Sequence, residues 1–338
     1  MLIAHNIYLS HDDSNHHLPG ITTGCHEIYT APSFHGQTNR ILPAILDFCM
    51  AFEDSRMKNE ESPILLQPDS NSQEAMSSAC LFLGAYLILI HRAEFDAVVA
   101  LFSQENIGVD VNILLDDEPP FRVLDCWNAL SHAVRLGWIS QDADEEADDE
   151  PLADLAEMLH YARPANGDVH AVIPGQLLLF PTPDDALDAA GADWADAAGP
   201  DGRAARRFSA RFTAALLRDL GVSAVACLGR GSAATAAALV RHGIATADLG
   251  LAADGSSLLR GLDSLLSLAR GAPGAVAVHA GGAGGREWPG YAGTLARAAV
   301  MSRAGLDGAA AGAWLRMACP WCVRPAAAGA AGAAKEEE

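Results

Sequence analysis

The chain has 338 residues, 50% of them hydrophobic, and a mean hydropathy of +0.12. This length and composition are typical of a globular protein with about two domains and a sizeable core. The net charge of −21 argues against a nucleic-acid-binding protein, because such proteins need a dense basic face to displace counterions from phosphates. A basic protein partner fits this charge better.

Targeting signals and cysteine usage bear on the compartment. The longest apolar stretch, 80–90, is too short to cross a bilayer and follows a helical period. Residues 1–10 lack the basic start and long apolar centre of a signal peptide. The 7 cysteines have no framework spacing, which is typical of free thiols in a reducing compartment. We expect a protein of the cytoplasm or nucleus without a membrane partner.

Charge divides the chain into unlike parts. Residues 1–200 contain 33 acidic and 7 basic side chains, whereas residues 201–338 contain 10 acidic and 15 basic ones. The acidic excess peaks at 141–150, where like charges repel and favour a solvated linker. The predicted organisation is an N-terminal domain over 1–140, an acidic linker over 141–170, a C-terminal domain over 171–325, and a disordered Ala/Gly-rich tail over 326–338.

The N-terminal part begins its predicted elements with a short apolar strand over 62–67. A polar turn cluster follows at 68–73, and apolar residues three and four positions apart predict a helix over 74–91. The helical pattern continues over 94–102 and 121–138.

The C-terminal part alternates strands and helices. A strand, a Pro-Gly turn and a second strand are predicted over 169–180, and a buried strand over 222–228. Leucines at 258, 259, 262, 265 and 266 predict a helix stripe that stops near Gly271, and 275–279 is a further strand. This alternation predicts an α/β fold with a largely parallel sheet.

The segment after this last strand is the most informative one. His279 is followed by six small residues and then Arg286. Converging amides at a helix start, with an arginine beside them, bind phosphate-like anions. A dinucleotide loop would need glycine where Glu287 stands, and a nucleotide P-loop would need a Lys-Ser/Thr pair. A merely flexible glycine-rich loop is the simpler alternative.

The strand-His-x6-Arg arrangement resembles the His-Cys-x5-Arg-Thr-Gly signature of cysteine-dependent protein phosphatases, with Ala280 at the cysteine position. From about residue 30 to 325 the chain is similar to the cell division cycle 14 type dual-specificity phosphatases. The segments that carry this resemblance occur in the family's order: 80–86, 113–115, 123–126, 166–168, 172–175, 253–256, 275–279, 293–295 and 313–316.

This resemblance implies two tandem phosphatase-like domains, each with a central, mostly parallel sheet flanked by helices. The first is expected to lack catalytic machinery: 64–90 repeats the strand-loop-helix plan of 275–301, but its loop contains neither Cys nor Arg.

The family's reaction uses a loop thiolate that attacks phosphorus and an aspartic acid that protonates the leaving oxygen. By resemblance Asp254 occupies the general-acid position, Arg286 the phosphate clamp and Ala280 the position of the missing nucleophile. The implied phosphate-binding residues are Gly281, Gly282, Ala283, Gly284, Gly285 and Arg286.

Several features depart from the family. No cysteine has an arginine six positions later, and 287–291 is an insert whose Pro289-Gly290 should delay or break the following helix. In the substrate groove Asp168 matches, but Ala162 and Ala165 occupy the positions of two glutamates.

No metal site or cofactor is predicted. The histidines at 16, 17, 26 and 35 match no common ligand spacing, and Cys319 and Cys322 have no second pair to complete a zinc site.

Three functions remain open. The first is a pseudophosphatase that binds phosphoprotein or basic protein ligands. The second is an active dual-specificity phosphatase, acting on phosphoserine-proline type substrates, whose gene model is faulty around the loop. The third is a structural protein whose loop binds nothing.

Overall fold

The computed structural model describes residues 2–4, 7–9, 27–31, 41–58, 64–68, 70, 72–104, 112–113, 121–139, 155–198, 204–228, 232–249, 258–279 and 289–320. The chain divides into two compact units, Met1–Arg135 and Leu136–Glu338.

The first unit combines short strands with long helices. Its elements, in chain order, are β1 (Leu2–Ala4), β2 (Ile7–Leu9), β3 (Glu27–Ala31), α1 (Ile41–Lys58), β4 (Ile64–Pro68), α2 (Gln73–Leu89), α3 (Phe95–Gln104), β5 (Asn112–Ile113), β6 (Phe121–Arg122) and α4 (Val123–Arg135). The main sheet has the order β1-β2-β4-β3, with β2 and β3 parallel to the central β4 and β1 antiparallel to β2. The strands β5 and β6 form a separate antiparallel pair.

The helix α2 is the centre of this unit's core. It is buried at almost every position from Ala75 to Leu89, because α1, α3 and α4 all pack around it. The ring of Trp127, which is fully buried, lies against Gly84, and its indole N–H donates to the Leu81 carbonyl at 3.2 Å. A Cβ atom on Gly84 would stand 2.1 Å from Trp127 Cε2, so only glycine permits this approach.

The second unit contains the larger sheet. Its elements are α5 (Leu155–Tyr161), β7 (His170–Ile173), β8 (Leu177–Phe180), α6 (Asp185–Ala190), β9 (Trp194–Ala198), β10 (Ala204–Phe208), α7 (Ala210–Asp219), β11 (Val222–Cys227), α8 (Ala233–Arg241), β12 (Ala245–Asp248), α9 (Leu258–Gly271), β13 (Ala275–His279), α10 (Pro289–Ala304) and α11 (Gly308–Ala318). The strands β9 and β10 form an antiparallel hairpin.

The five-stranded sheet has the order β12-β11-β13-β8-β7. Its first four strands are parallel, and β7 is antiparallel to β8. The crossover through α8 moves outward from β11 to β12, and the crossover through α9 returns to β13, so the right-handed rule places these two helices on opposite faces. One face is covered by α7 and α8, whose Leu217 and Leu239 pack on Phe180 and Val225. The arrangement is a helix-sheet-helix layering.

The prediction of a mixed α/β chain with parallel-rich sheets is confirmed. The predicted strand near Ile64 is β4, the helix after it is α2, and the strand pair over 169–180 is β7 with β8. The strand-loop-helix plan recurs as β4-α2 and β13-α10, and α10 begins at Pro289, consistent with a proline that delays the helix.

Other expectations need correction. The predicted helix over 121–138 begins only at Val123, because Phe121 and Arg122 pair with β5. The helix predicted from the leucines between 258 and 266 is confirmed as α9, which ends at Gly271; of these leucines Leu265 is fully buried and Leu259 is 77% exposed.

The range assigned to a linker contains the helix α5, whereas its acidic block 141–150 and the tail 326–338 lie outside the described residues. Among the helices that the structure describes, none is long and apolar enough to cross a membrane.

Candidate functional site

The parallel strands of the second unit end at one edge of the sheet, which we call the carboxyl edge. Their last residues are Phe180, Cys227, Asp248 and His279. His279 is in register with Phe180 on one side and with Cys227 on the other, and Cys227 is in register with Asp248. Side chains in register on parallel strands share a face, with strands about 4.8 Å apart. The four residues therefore form a row across the sheet.

The topology makes a crevice at this edge. From β11 the chain leaves through α8 toward β12, whereas from the neighbouring β13 it continues into α10, which packs on the opposite side near β7. Adjacent strands whose connections leave in opposite directions open a crevice at their carboxyl ends, where ligands of open α/β sheets bind. The loop predicted to bind phosphate comes after β13 at this point in the chain.

His279 closes the strand β13, which is buried along its whole length. The imidazole is 1% exposed, its centroid lies 5.3 Å from that of the Phe180 ring, and neither ring nitrogen has a hydrogen-bond partner among the described residues. Burial lowers the pKa of His279 to about 4, against a weak opposing effect of Asp185. The ring is therefore neutral at pH 7. Buried polar atoms generally need a hydrogen-bond partner, and no described residue supplies one to these two nitrogens.

The α6–α8 side of the edge carries carboxylates. Ser232, the N-cap of α8, donates to Asp185 Oδ1 at 2.7 Å and accepts from the Thr235 N–H at 3.0 Å. Asp184 caps α6 and accepts from Arg207 Nη1 at 2.6 Å. Arg207 compensates the charge of Asp184, whereas Asp185 would repel an oxyanion, so the α10 side of the sheet edge is the more favourable place for one.

Cys227 is the described thiol nearest in register to the end of β13, and it is half-buried. Burial, followed by the negative charge of Asp248, raises the pKa of this thiol. Reactive cysteines have the opposite shift, because only the thiolate is a strong nucleophile. Cys227 therefore lacks the shift expected of a nucleophilic cysteine.

The other described cysteines are equally unsuited. Burial raises the pKa of Cys49 and raises that of Cys80 to about 12. As predicted, the described cysteines are thiols rather than disulfides: Cys49, Cys80, Cys126, Cys227 and Cys319. Cys25 and Cys322 lie outside the described residues.

Most residues that the sequence patterns assigned to the site lie outside the described residues. These are Ala280, Gly281, Gly282, Ala283, Gly284, Gly285, Arg286 and the general-acid position Asp254. The structure does describe the strand that leads into the loop and the helix on the loop's other side.

Asp168, which the resemblance assigns to a substrate groove, is described and occupies a tight turn before β7. Its φ of 56° is in the left-handed region, which costs a non-glycine residue about 1 kcal/mol or more. The backbone N–H of Asp168 donates to the Arg163 carbonyl at 3.2 Å, and its Oδ1 lies 2.9 Å from His170 Nε2. Ala162 and Ala165 offer no carboxylate beside it, and Arg206 Nη1 donates to the Ala165 carbonyl at 3.4 Å.

His170 is a functional neighbour that sequence reasoning missed. Its ring is 4% exposed, with Nε2 at Asp168 Oδ1 and Nδ1 2.9 Å from the Ala318 carbonyl. A carboxylate and a carbonyl both accept hydrogen bonds, so either ring nitrogen finds an acceptor when it carries the proton. Any basic ligand at Asp168 therefore competes with His170. The Asp-x-His spacing in the sequence could have indicated this contact.

Within the described part of the chain, no group of three His, Cys, Asp or Glu side chains is arranged to hold a metal ion. No protein-family model matches the chain, and no curated protein is significantly similar to it.

Proposed function

We propose that this chain is a pseudophosphatase of the cell division cycle 14 type, which binds phosphoprotein ligands in the cytoplasm or nucleus without hydrolysing them. The observation that carries this proposal is the path β13-loop-α10. A buried central strand ends at His279, six small residues and Arg286 come next, and the nucleophile position holds Ala280. The proposal extends to two tandem phosphatase-like domains, of which only the second has a phosphate loop.

The chemistry of the loop separates binding from hydrolysis. A phosphatase of this class transfers the phosphoryl group to a thiolate, and the methyl group of Ala280 cannot form that bond. Amide donors and a planar guanidinium need no thiol to hold an oxyanion. The carboxylate of Asp185 supports a ligand on the α10 side, because it repels an anion from the other side. Ligand binding without turnover is the expected behaviour.

The ligand class follows from charge. The net charge of −21 favours a phosphopeptide with basic residues near the phosphate, since these are attracted to acidic surface. By resemblance Asp168 would contact one of those basic residues, in competition with His170. Phosphoserine-proline peptides that carry a following Lys or Arg are the first probes to use.

The test combines binding and hydrolysis on the full chain. Calorimetry with tungstate and with a phosphoserine-proline-Lys peptide should detect binding that Arg286→Ala abolishes and that Arg270→Ala, a change at an exposed arginine of α9, leaves intact. Ala280→Cys should introduce hydrolysis of an aryl phosphate into a chain that shows none.

Two outcomes would contradict the proposal. Aryl-phosphate turnover by the unmodified chain that Arg286→Ala removes would favour the active phosphatase, and transcript sequencing across 279–324 would then look for a cysteine codon. Equal heats for the unmodified chain and Arg286→Ala would favour a loop that binds no oxyanion.

A further inference from the structure

The two edges of the five-stranded sheet differ in how they are protected. The edge strand β7 is antiparallel to its neighbour, has buried residues at His170, Val172 and Ile173, and contacts α5, α10 and α11. At the opposite edge, three of the four residues of β12 are exposed, and no strand among the described residues pairs with its outer side.

An exposed edge strand presents backbone donors and acceptors to any chain that can pair with them. Proteins protect such an edge by keeping the strand very short, with charged side chains, with proline, with a bulge or with a covering helix. The strand β12, Ala-Thr-Ala-Asp, is short and carries one charge at its end, but it contains neither lysine nor proline, and its register with β11 is regular over all four residues. Its small side chains leave a second strand room to approach.

We propose that β12 pairs antiparallel with β12 of a second copy of this chain across a two-fold axis. In a register centred on Thr246, which faces its own copy across the axis, Ala247 of each copy lies opposite Ala245 of the other, and Asp248 lies opposite Ile244, the residue before β12. Arg241, exposed at the end of α8, precedes that strand by a short turn. Each acidic strand end thus meets the basic start of its partner, and the two-fold axis produces this contact twice.

Charge complementarity favours a second copy over an unrelated strand. The two-fold dimer forms both Asp248–Arg241 contacts at once. An unrelated peptide would need a basic residue opposite Asp248 and an acidic residue opposite Arg241 in its own sequence. The acidic excess of the chain lies in residues 1–200, and residues 201–338 carry more basic than acidic side chains. At physiological salt, charges more than about 8 Å apart are largely screened, so the local pairs outweigh the net charge.

A hydrophobic side chain adds to this surface. Val240 is 64% exposed on α8, the helix that packs on β12. The contact joins two five-stranded sheets into one continuous sheet, with α8 of both copies on the same face because the axis is normal to the sheet.

Sedimentation velocity of the full chain at rising concentration tests the proposal. The unmodified chain should be a dimer. Asp248→Arg and Arg241→Asp each place like charges together, so each should raise the dissociation constant at least about tenfold. The double variant Asp248→Arg/Arg241→Asp restores opposite charges and should restore the dimer. Asp263→Arg, a reversal at an exposed residue of α9, is the matched control and should change nothing.

Hydrogen exchange provides a second readout. The amides of 245–249 should exchange more slowly as concentration rises in the unmodified chain and in the double variant, but not in Asp248→Arg. A monomer at every concentration would overturn the proposal, and so would a dimer that Asp248→Arg leaves unchanged. Failure of the double variant to recover while circular dichroism shows a native fold would also count against it.

Discussion

The two strand-loop-helix segments of this protein share a plan and differ in how the chain passes from strand to helix. In the first unit β4 is a central parallel strand, and the chain enters α2 through Ser72, whose hydroxyl accepts from the Ala75 N–H at 3.1 Å. In the second unit the central strand β13 ends at a buried histidine without a hydrogen-bond partner among the described residues, and the chain reaches α10 only at Pro289.

The same plan serves packing in the first unit, whereas in the second unit it leads into the loop for which we propose ligand binding. In the first segment the Ser72 side chain caps the start of α2, and α2 is almost completely buried. In the second segment no described residue binds the ring nitrogens of His279. The following substitutions test whether the unfolding free energies of the two units respond differently to mutation and to pH.

The largest effect is expected at Gly84 in the first unit. Gly84→Ala places a methyl group within 2.1 Å of the Trp127 ring, so the ring or the helix must move. We expect a loss of about 3 kcal/mol or more in the unfolding free energy, at the upper end for an overpacked core. Urea unfolding monitored by tryptophan fluorescence measures it. Gly271→Ala, where a Cβ meets nothing within 4 Å, is the control and should cost little.

The second effect is a pH dependence from His279 in the second unit. Its pKa falls from 6.5 to about 4 on folding, so the unfolded chain binds the proton first as pH decreases. The associated stability is complete above pH 6.5 and is lost progressively toward pH 4, by about 3 kcal/mol. His279→Phe should remove this slope in urea titrations, whereas His160→Gln, at an exposed ring, should retain it. An unchanged slope in His279→Phe would show that the ring is not buried neutral.

A weaker pH dependence is expected from Glu53 in the first unit. Arg56 donates to both carboxylate oxygens, at 2.8 and 2.6 Å, and Tyr86 donates at 2.5 Å. The hydrogen bonds from Arg56 are the main reason that the pKa of Glu53 falls from 4.5 to about 2.

The stability from Glu53 is present above pH 4.5 and is lost as pH falls toward 2. Because solvent screens the group, Glu53→Gln should cost only about 1 kcal/mol at pH 7 and almost nothing near pH 2. Unfolding followed between pH 7 and 2 should therefore lose stability in the second unit before the first. The reverse order would contradict the comparison.

The smallest effect concerns Asp168. Asp168→Asn removes the charged partner of His170 and should lower the unfolding free energy by about 1 kcal/mol. Nitrogen-15 NMR should show a changed signal for His170 Nε2, the nitrogen that lies 2.9 Å from Asp168 Oδ1. Asp196→Asn, at a side chain that is 84% exposed, should leave both measurements unchanged. An unchanged Nε2 signal in Asp168→Asn would contradict the contact between the two side chains.

Sequence reasoning succeeded where the signal is local. The helical period of α2 and the Pro-Gly turn between β7 and β8 depend on residues close in the chain, and both elements formed as predicted. The leucine spacing also predicted the helix α9 and its end near Gly271, but spacing does not tell what covers the apolar face, and Leu259 is 77% exposed. The helix α1 was not predicted from the sequence. It contains both Glu53 and Arg56, which hydrogen-bond to each other.

The absence of a thiol at position 280 was decided by the sequence alone, because no fold can give a methyl group the chemistry of sulfur. Composition and alternation also determined the α/β class. Tertiary structure decided which polar groups are buried from solvent. The ring of His170 contacts the Ala318 carbonyl, 148 residues away in the sequence, and His279 is enclosed between strands that are distant in sequence. It also decided which sheet edge stays exposed, because strand order depends on packing between segments that local patterns do not encode.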